Sequence, residues 1–131
     1  MTSAFKRAEM SPEDIDYIAA HATSTPLGDT VETRAIKGAL GEHAANVAVS
    51  ANKSMVGHML GAAGAISAIS SVLAIRDGVV PPTINLQTPD PECDLNYVPN
   101  VAERRTVDAA MVNGFGFGGQ NASTIFRRFQ G

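Results

Sequence analysis

Three side chains in this sequence could act together on a developing negative charge: His21, Lys53 and His58. His21 opens the run His-Ala-Thr-Ser-Thr-Pro-Leu-Gly-Asp, and the other two share Lys-Ser-Met-Val-Gly-His-Met-Leu-Gly-Ala-Ala-Gly. Two imidazole N–H groups that donate to one oxyanion stabilise it, typically by about 2.7–4 kcal/mol per donor. A lysine beside His58 would keep that imidazole neutral, so that it donates through one nitrogen. No residue near these motifs resembles the nucleophile that such a site would serve.

Each of these residues also has an ordinary structural explanation. A single histidine is most often a surface group or a hydrogen-bonded core group, and a lysine near a strand end is normally solvated. A metal centre would need Asp29 together with both histidines, and the sequence contains no short ligand spacing such as His-Glu-x-x-His. We therefore expect no metal site. His43 lies in a polar stretch and is assigned no role.

A glycine-rich run at 114–119 formally matches the dinucleotide motif G-x-G-x-x-G. Strand-like residues follow it instead of a helix, and the chain ends before a ribose-binding acid could occur. We interpret the run as a flexible turn with exposed backbone N–H groups, in which Phe115 and Phe117 are mobile apolar residues next to a substrate. A plain hairpin turn is the alternative. Cys93 lies between carboxylates with no helix N-terminus to activate its thiol, and is expected to be inert.

The composition limits the class of protein. With 131 residues, 44% of them hydrophobic, the chain has the length of one domain. A net charge of −3 without a basic cluster argues against a nucleic-acid partner. The N-terminus lacks a basic region followed by an apolar block, and a single cysteine cannot form an internal disulfide. Both features favour the cytoplasm.

No Asp, Glu, Lys or Arg occurs between residues 54 and 75. That length approaches the roughly 20 apolar residues of a membrane span, but the glycines and serines in it, and His58, disfavour a lipid-facing helix. We expect instead a helix over 59–76 that is apolar on nearly every side and must be covered all round. Because the covering needs more protein than this chain supplies, the isolated chain is expected to expose apolar surface and to self-associate.

The hydrophobic pattern predicts the order β-α-β-α-β-β. The predicted elements are strand 16–21, a helix that begins with a capping box of Asp29 and Glu32 and ends at Gly41, strand 47–51, helix 59–76, proline-broken loops over 79–100, and strands 106–113 and 122–129. This order is typical of an α/β layered domain with parallel strands at its centre. Functional sites in such sheets lie at the carboxyl ends of strands. His21, Lys53 and the 114–119 turn all follow strand ends, so we expect them to meet.

Three motifs in this sequence resemble the C-terminal motifs of the β-ketoacyl-acyl-carrier-protein synthases. They are the two runs quoted above and Asn-Gly-Phe-Gly-Phe-Gly-Gly-Gln-Asn, they occur in the family's order, and the resemblance covers nearly the whole chain. The residues of these motifs, among them Thr-Ser-Thr and Lys-Ser-Met, are more similar to those of the type II elongating synthase of fatty-acid synthesis than to those of modular polyketide ketosynthases. The resemblance implies the thiolase fold, in which two similar α/β halves pack as a five-layer sandwich, usually within a homodimer. Residues 1–131 resemble the C-terminal half alone, a layered mixed sheet with helices.

The activity that the resemblance implies is a decarboxylating Claisen condensation of acyl and malonyl groups. These groups would be carried on the phosphopantetheine of an acyl carrier protein, and no added cofactor would be needed. His21 and His58 would donate to the malonyl thioester oxygen, and Lys53 would support His58. The backbone N–H of Phe117 would contribute to an oxyanion hole, and its side chain would gate access.

Two threonines and four departures from the family's usual residues complete the resemblance. Thr23 and Thr25 would hold the pantetheine arm, whereas the residues alone allow either local turn capping before Pro26 or hydrogen bonds to an extended polar ligand. The departures are Ser67 in place of glutamate, Ala22 in place of glycine, Gly114 in place of serine and Gln120 in place of threonine. These changes leave the imidazoles intact and alter the polar network behind them.

The family's nucleophilic cysteine belongs to the N-terminal half, and Cys93 does not match it. We therefore expect an acyltransferase that is active only when joined to that half. The alternative is a catalytically inactive chain that binds acyl chains, carrier protein or another synthase subunit. A degradative thiolase is disfavoured because thiolases use a second cysteine near the C-terminus, and none follows Cys93. The expected partners are acyl carrier protein, the missing half or a homologous subunit, and a second copy of the chain, without nucleic acid or membrane.

Overall fold

A computed structural model describes all 131 residues as one layered α/β unit. The helices are α1 (Thr2–Ala8), α2 (Pro26–Leu40), α3 (Lys53–Val56) and α4 (Ala63–Asp77); the strands are β1 (Tyr17–Ala19), β2 (Ala48–Ser50), β3 (Val79–Val80), β4 (Glu103–Arg104), β5 (Ala109–Phe115) and β6 (Asn121–Arg127). The main sheet has the order β2-β1-β5-β6. Strand β1 pairs in parallel with β2 and β5, and β6 pairs antiparallel with β5. The predicted α/β class is confirmed, and the predicted chain order β-α-β-α-β-β holds for the four strands of the main sheet with α2 and α4. The structure adds the short antiparallel pair β3–β4.

Two hydrophobic clusters cover the two faces of this sheet, because successive residues of a strand point to opposite sides. On one face the strand residues Ile18, Val49 and Met111 pack with Phe5 of α1 and with Ile36 and Leu40 of α2. On the other face Tyr17, Ala19, Ala110 and Val112 pack with Ala74 and Ile75 of α4. The two layers of helices hold the sheet rigidly, and its carboxyl edge is free to carry a site.

Helix α2 begins earlier than the sequence analysis predicts. Thr25 is its N-cap, with Oγ1 accepting the Gly28 N–H at 3.2 Å, and Pro26 occupies the first helical position. Proline is favoured there because its φ is already helical and its missing N–H is not needed. The predicted capping box of Asp29 and Glu32 is therefore wrong, since both residues lie inside the helix. The predicted stop at Gly41 is present, with a φ of 59°.

Helix α4 packs on the sheet by one face only. Its buried residues are Ser67, Ser71, Ala74 and Ile75, whereas Leu60 before it and Ile69, Val72 and Leu73 on its outer face are exposed. The segment Leu60–Asp77 is long and apolar enough to cross a membrane by length and composition alone. Its contacts with β1 and β5 are those of a helix that lies on a sheet. The outer apolar face agrees with the expectation that this helix needs further cover.

We predict that the isolated chain self-associates through the outer face of α4. Ile69 and Val72 are 56% and 47% exposed, and lysine is a good helix former, so Ile69→Lys with Val72→Lys should lower the mass measured by light scattering without changing the far-ultraviolet circular dichroism. A matched control adds the same two charges at the exposed Thr106 and Gln130 and should associate as the parent does. A parent chain that stays monomeric at high concentration would contradict the prediction.

Candidate active site

The carboxyl ends of the three parallel strands meet at one edge of the sheet. His21 lies two residues after β1, Lys53 begins α3 after β2, and Phe115 ends β5. The ring centroids of His21 and His58 are 6.0 Å apart with their planes at 89°, and those of His21 and Phe115 are 5.6 Å apart at 55°. Lys53 Nζ donates to the carbonyl oxygen of His21 at 2.6 Å. The structure thus brings together residues from three segments that are distant in sequence.

A hydrogen bond from its own loop determines which nitrogen of His58 is free. The backbone N–H of Leu60 donates to His58 Nδ1 at 3.2 Å. A neutral imidazole that accepts at Nδ1 carries its proton on Nε2. Leu60 has a φ of 50°, in the left-handed region, so the chain adopts a strained backbone where it makes this contact. His58 can therefore offer Nε2–H to a ligand.

The environment of His21 favours a neutral ring. Its pKa lies below the ordinary value of 6.5, first because burial removes water from the charged form and then because Lys53 and His58 repel a positive charge. A neutral ring at pH 7 keeps one N–H to donate. The sequence analysis assigned Lys53 to His58, but the hydrogen bond goes to the His21 carbonyl, so the ammonium acts mainly on His21.

Lys53 itself lies between opposing influences. Partial burial lowers its pKa below 10.5, whereas Glu32 and Asp29 raise it. The two carboxylates therefore favour the ammonium form, which makes the hydrogen bond to the His21 carbonyl oxygen a stronger, charge-assisted one. The same ammonium in turn favours the charged form of Asp29, although burial raises the pKa of that carboxyl overall.

Glu32 is the residue of this site that the sequence analysis missed. Its Oε1 accepts from the His21 N–H at 2.9 Å and from Asn113 Nδ2 at 3.1 Å, and its Oε2 accepts from the Ala22 N–H at 2.9 Å. Burial raises the pKa of Glu32, and these three hydrogen bonds oppose that rise. One carboxylate therefore joins α2, the loop after β1 and strand β5. The sequence did contain one indication that Glu32 is buried: it lies four residues before Ile36, and therefore on the same buried face of α2.

The separation of the two rings is compatible with one shared oxygen atom. An oxygen that accepts an N–H···O bond of ordinary length lies roughly 4 Å from the centroid of the donating ring. Two such legs close a triangle over the 6.0 Å that separates the ring centroids of His21 and His58. The ring separation therefore meets the distance condition for two N–H donors on one oxyanion.

The glycine-rich turn presents a backbone donor and an exposed ring. Phe117 starts the short 3₁₀ turn Phe117–Gly119, so its N–H has no acceptor within the turn. Its side chain is fully exposed. Gly116 N–H donates to the Gln120 oxygen at 2.8 Å and closes the turn, while Gly118 has a φ of 74°. Phe115, not Phe117, contacts an imidazole in this structure, and the gating role of Phe117 stays a prediction.

The remaining predicted residues have separate positions. Thr25 caps α2, which is the local capping that its residue type allowed as one alternative, and Thr23 lies partly buried in the same loop. Their contact with a pantetheine arm stays a prediction.

Cys93 lines a cavity of about 190 Å³ next to Glu32, and neither His21 nor His58 lines that cavity. His43 Nε2 lies 2.9 Å from the Ile15 carbonyl oxygen, a structural contact. No group of His, Cys, Asp or Glu side chains is arranged to hold a metal ion.

Known sequences of one family are similar to this chain. The family model described as "Beta-ketoacyl synthase, C-terminal domain" matches residues 1–87. The chain is 55% identical over 127 residues to a 3-oxoacyl-[acyl-carrier-protein] synthase 2 of Synechocystis, and 54% identical over 128 residues to that of Coxiella burnetii. These matches cover 97% and 98% of the chain but only 30% and 31% of the relatives.

Solved structures show the same fold. A ketosynthase of a type II polyketide system, in complex with its acyl-carrier protein and bound to a hexaketide, matches 98% of the chain with a TM-score of 0.95 and 41% identity. A β-ketoacyl synthase from Burkholderia phymatum matches 97% of the chain with a TM-score of 0.90 and 38% identity. In both cases the match covers 31% of the other protein.

We predict that His21 titrates below pH 6.5 and that removing the Lys53 charge raises its pKa. The ammonium destabilises the imidazolium, so Lys53→Met should move the His21 titration to higher pH, while burial still keeps the pKa depressed in part. The measurement is a pH titration of the ring signals by NMR. Lys53→Arg retains the charge and should leave the titration nearly unchanged. Equal His21 titrations in the Met and Arg variants would refute the assigned influence of Lys53.

We also predict that Glu32→Gln destabilises the fold. The side-chain amide keeps one acceptor oxygen but sets its NH₂ group against backbone donors, and an unsatisfied buried N–H costs about 1–3 kcal/mol. Denaturant unfolding should show this loss, and the amides of His21 and Ala22 should exchange faster. Glu42→Gln removes the same charge at an exposed position and serves as the control. Equal stability of the two variants would show that the carboxylate does not hold the loop.

Proposed function

Because this chain belongs to the β-ketoacyl synthase family, whose C-terminal domain it matches, we propose that it supplies the imidazole pair for a decarboxylating Claisen condensation in fatty-acid elongation. The observation that supports this most is the 6.0 Å separation of the His21 and His58 ring centroids, a distance that one shared acceptor oxygen can span. The substrates are acyl and malonyl groups carried on the phosphopantetheine of an acyl carrier protein. The enzyme class is a 3-oxoacyl-[acyl-carrier-protein] synthase, an acyltransferase of the cytoplasm.

The proposed step needs only hydrogen-bond donors from this chain. The bond between the malonyl methylene carbon and its carboxylate breaks, CO₂ leaves, and the electron pair passes into the thioester to give an enolate. His21 and His58 each donate an N–H to the thioester oxygen as it becomes negative. The enolate carbon then attacks the acyl thioester carbonyl, a carbon–carbon bond forms, and the acyl-bearing thiolate leaves. No cofactor is needed because the electrons come from the broken bond.

The residues of the outer loops fit supporting roles in the same step. The free N–H of Phe117 would donate to the acyl thioester oxygen, and its exposed ring would gate entry of the acyl chain. Phe115 contacts His21 and would close the apolar side of the site. Thr23 and Thr25 would hydrogen-bond the pantetheine arm, Thr25 through the hydroxyl hydrogen that its capping role leaves free.

The acyl-bearing thiol must come from outside this chain. Cys93 opens on a different cavity from the imidazoles, and the chain spans about 30% of the length of its curated relatives. We propose that the remaining half of the ketosynthase fold, or a homologous subunit, packs on the apolar outer face of α4 and brings that thiol. The complete assembly would pair as a homodimer and bind acyl carrier protein.

The absence of a thiol beside the imidazoles also favours one alternative. The chain could bind acyl groups, carrier protein or another synthase subunit without catalysis. The two functions differ in one measurable respect: only the first releases CO₂ from malonyl carrier protein and forms a new carbon–carbon bond once the missing part is supplied.

We predict that condensation appears when the chain is co-expressed with the part of the Synechocystis relative that it does not cover. In this pair His21→Ala and His58→Ala should each lower the condensation rate by about 10²–10³-fold, since each removes one donor to the oxyanion. CO₂ release and product formation are measured together. His43→Gln, which changes a histidine outside the site, should leave the rate near that of the parent.

A stable pair that binds acyl carrier protein but neither releases CO₂ nor forms product would support the binding function instead. Loss of activity in the His43 variant alone would contradict the assigned pair of imidazoles.

A further inference from the structure

Helix α3, which carries Lys53 and leads into His58, cannot hold its own position. It contains a single turn, Lys53–Val56, and its N-cap Asn52 makes no side-chain capping bond. Isolated helices this short are unstable because the first turn fixes several residues for one hydrogen bond. Gly57 ends the helix with a φ of 73° and turns the chain towards His58. The placement of both residues therefore depends on contacts from elsewhere in the fold.

Two hydroxyl groups supply those contacts. Thr83 Oγ1 accepts the backbone N–H of Ala51 at 3.0 Å, just before α3, and Ser54 Oγ inside α3 accepts the backbone N–H of Ile84 at 3.0 Å. The two bonds run in opposite directions between the same two segments. They hold the chain on both sides of Lys53 and so restrict both translation and rotation of the turn.

The segment that carries Thr83 is rigid enough to serve as an anchor. Pro81 and Pro82 precede it and fix their own φ angles. The Thr83 N–H donates to the Val98 oxygen and the Thr83 oxygen accepts from the Asn100 N–H, each at 2.9 Å. Both backbone groups of Thr83 are thus bonded, and its hydroxyl is presented from a fixed backbone, as precise positioning requires.

We propose that Thr83 and Ser54 are positioning residues of the active site, which clamp α3 so that Lys53 reaches the His21 carbonyl and His58 faces His21. Neither hydroxyl touches the imidazoles. The clamp acts through the backbone: it fixes α3, which sets Lys53 Nζ at 2.6 Å from the His21 oxygen and starts the turn that sets the 6.0 Å ring separation. The kinetic part of this inference rests on the proposed condensation; the structural part does not.

The test uses the three histidines as reporters in the 131-residue chain. Thr83→Val removes the hydroxyl and keeps the shape of the side chain, Thr83→Ser retains the hydroxyl, and Thr88→Val makes the same change on an exposed threonine of the same loop. In Thr83→Val the NMR ring signals of His58 and His21 should shift or split, while that of His43 stays unchanged. The Ala51 amide should exchange at least about tenfold faster. The Ser variant should restore both, and the Thr88 variant should change neither.

In the co-expressed pair, Thr83→Val should lower kcat by up to about a hundredfold, because a small misplacement of catalytic groups is that costly. KM for malonyl carrier protein should stay within about twofold, since neither clamp residue would touch the substrate. If the unsubstituted pair shows no condensation activity, that result counts against the proposed function. The NMR ring signals and the amide exchange of the 131-residue chain still test the clamp in that case.

Several outcomes would overturn the clamp. One is a folded Thr83→Val chain whose His21 and His58 signals and Ala51 exchange match those of Thr88→Val. If Thr83→Val does not fold, Ser54→Ala is read in the same way. If neither variant folds, the unsubstituted chain decides: an Ala51 amide that exchanges at the rate of an unprotected amide would overturn the clamp, and a protected one would support it.

Discussion

A single buried carboxylate holds the active loop in place. Glu32 accepts the backbone N–H groups of His21 and Ala22 and the side-chain amide of Asn113. Without this acceptor, donors at the end of β1 would be buried without partners, which costs more than any one of these hydrogen bonds contributes. Through these three hydrogen bonds one carboxylate links α2 to the backbone at His21 and to strand β5.

Around that carboxylate the site is built from backbone and charge more than from side-chain packing. Lys53 bonds a carbonyl oxygen, His58 is oriented by the N–H of Leu60, and Phe117 offers its own N–H. Parallel strands make such a site possible with short loops, because their carboxyl ends bring loops from distant parts of the chain to one edge of the sheet. The rings themselves are then free to donate to a ligand, as electrostatic catalysis requires.

The sequence predicted the parts of the structure that obey short-range rules. The strand ends that carry His21 and Lys53 followed from hydrophobic runs, and the stop at Gly41 followed from the freedom of glycine to adopt a positive φ. The predicted start of α2 was wrong because two capping patterns overlap in this part of the sequence. The structure uses the Thr25–Pro26 pair as the helix start, and not Asp29 with Glu32. Glu32 was missed as a support because two of its partners are backbone groups, which no residue type reveals, and the third, Asn113, is 81 residues away in sequence.

Helix α4 shows the other limit of sequence reasoning. Its apolar composition correctly predicted an exposed apolar face that needs cover, because a helix that is hydrophobic on all sides is stable only when every side is shielded from water. The glycines and serines in the helix disfavoured a membrane span, although its length and mean hydropathy alone would allow one. The contacts of its inner face with β1 and β5 are those of a helix on a sheet, and its buried Ser71 satisfies its hydroxyl within the helix, on the Ser67 oxygen at 2.9 Å.

Ala22 has a φ of 34°, in a region where a side chain costs about 1–2 kcal/mol relative to ordinary backbone. The hydrogen bond from the Ala22 N–H to the Glu32 carboxylate, at 2.9 Å, helps to offset that cost. The loop therefore stores strain energy that would be released if Glu32 lost its hydrogen bond to Ala22. Relaxation of the backbone there would also move the adjacent residue, His21. A proton on Glu32 would weaken it as an acceptor for the His21 and Ala22 N–H groups, so the charge of this one buried acid acts directly on the backbone that carries an imidazole.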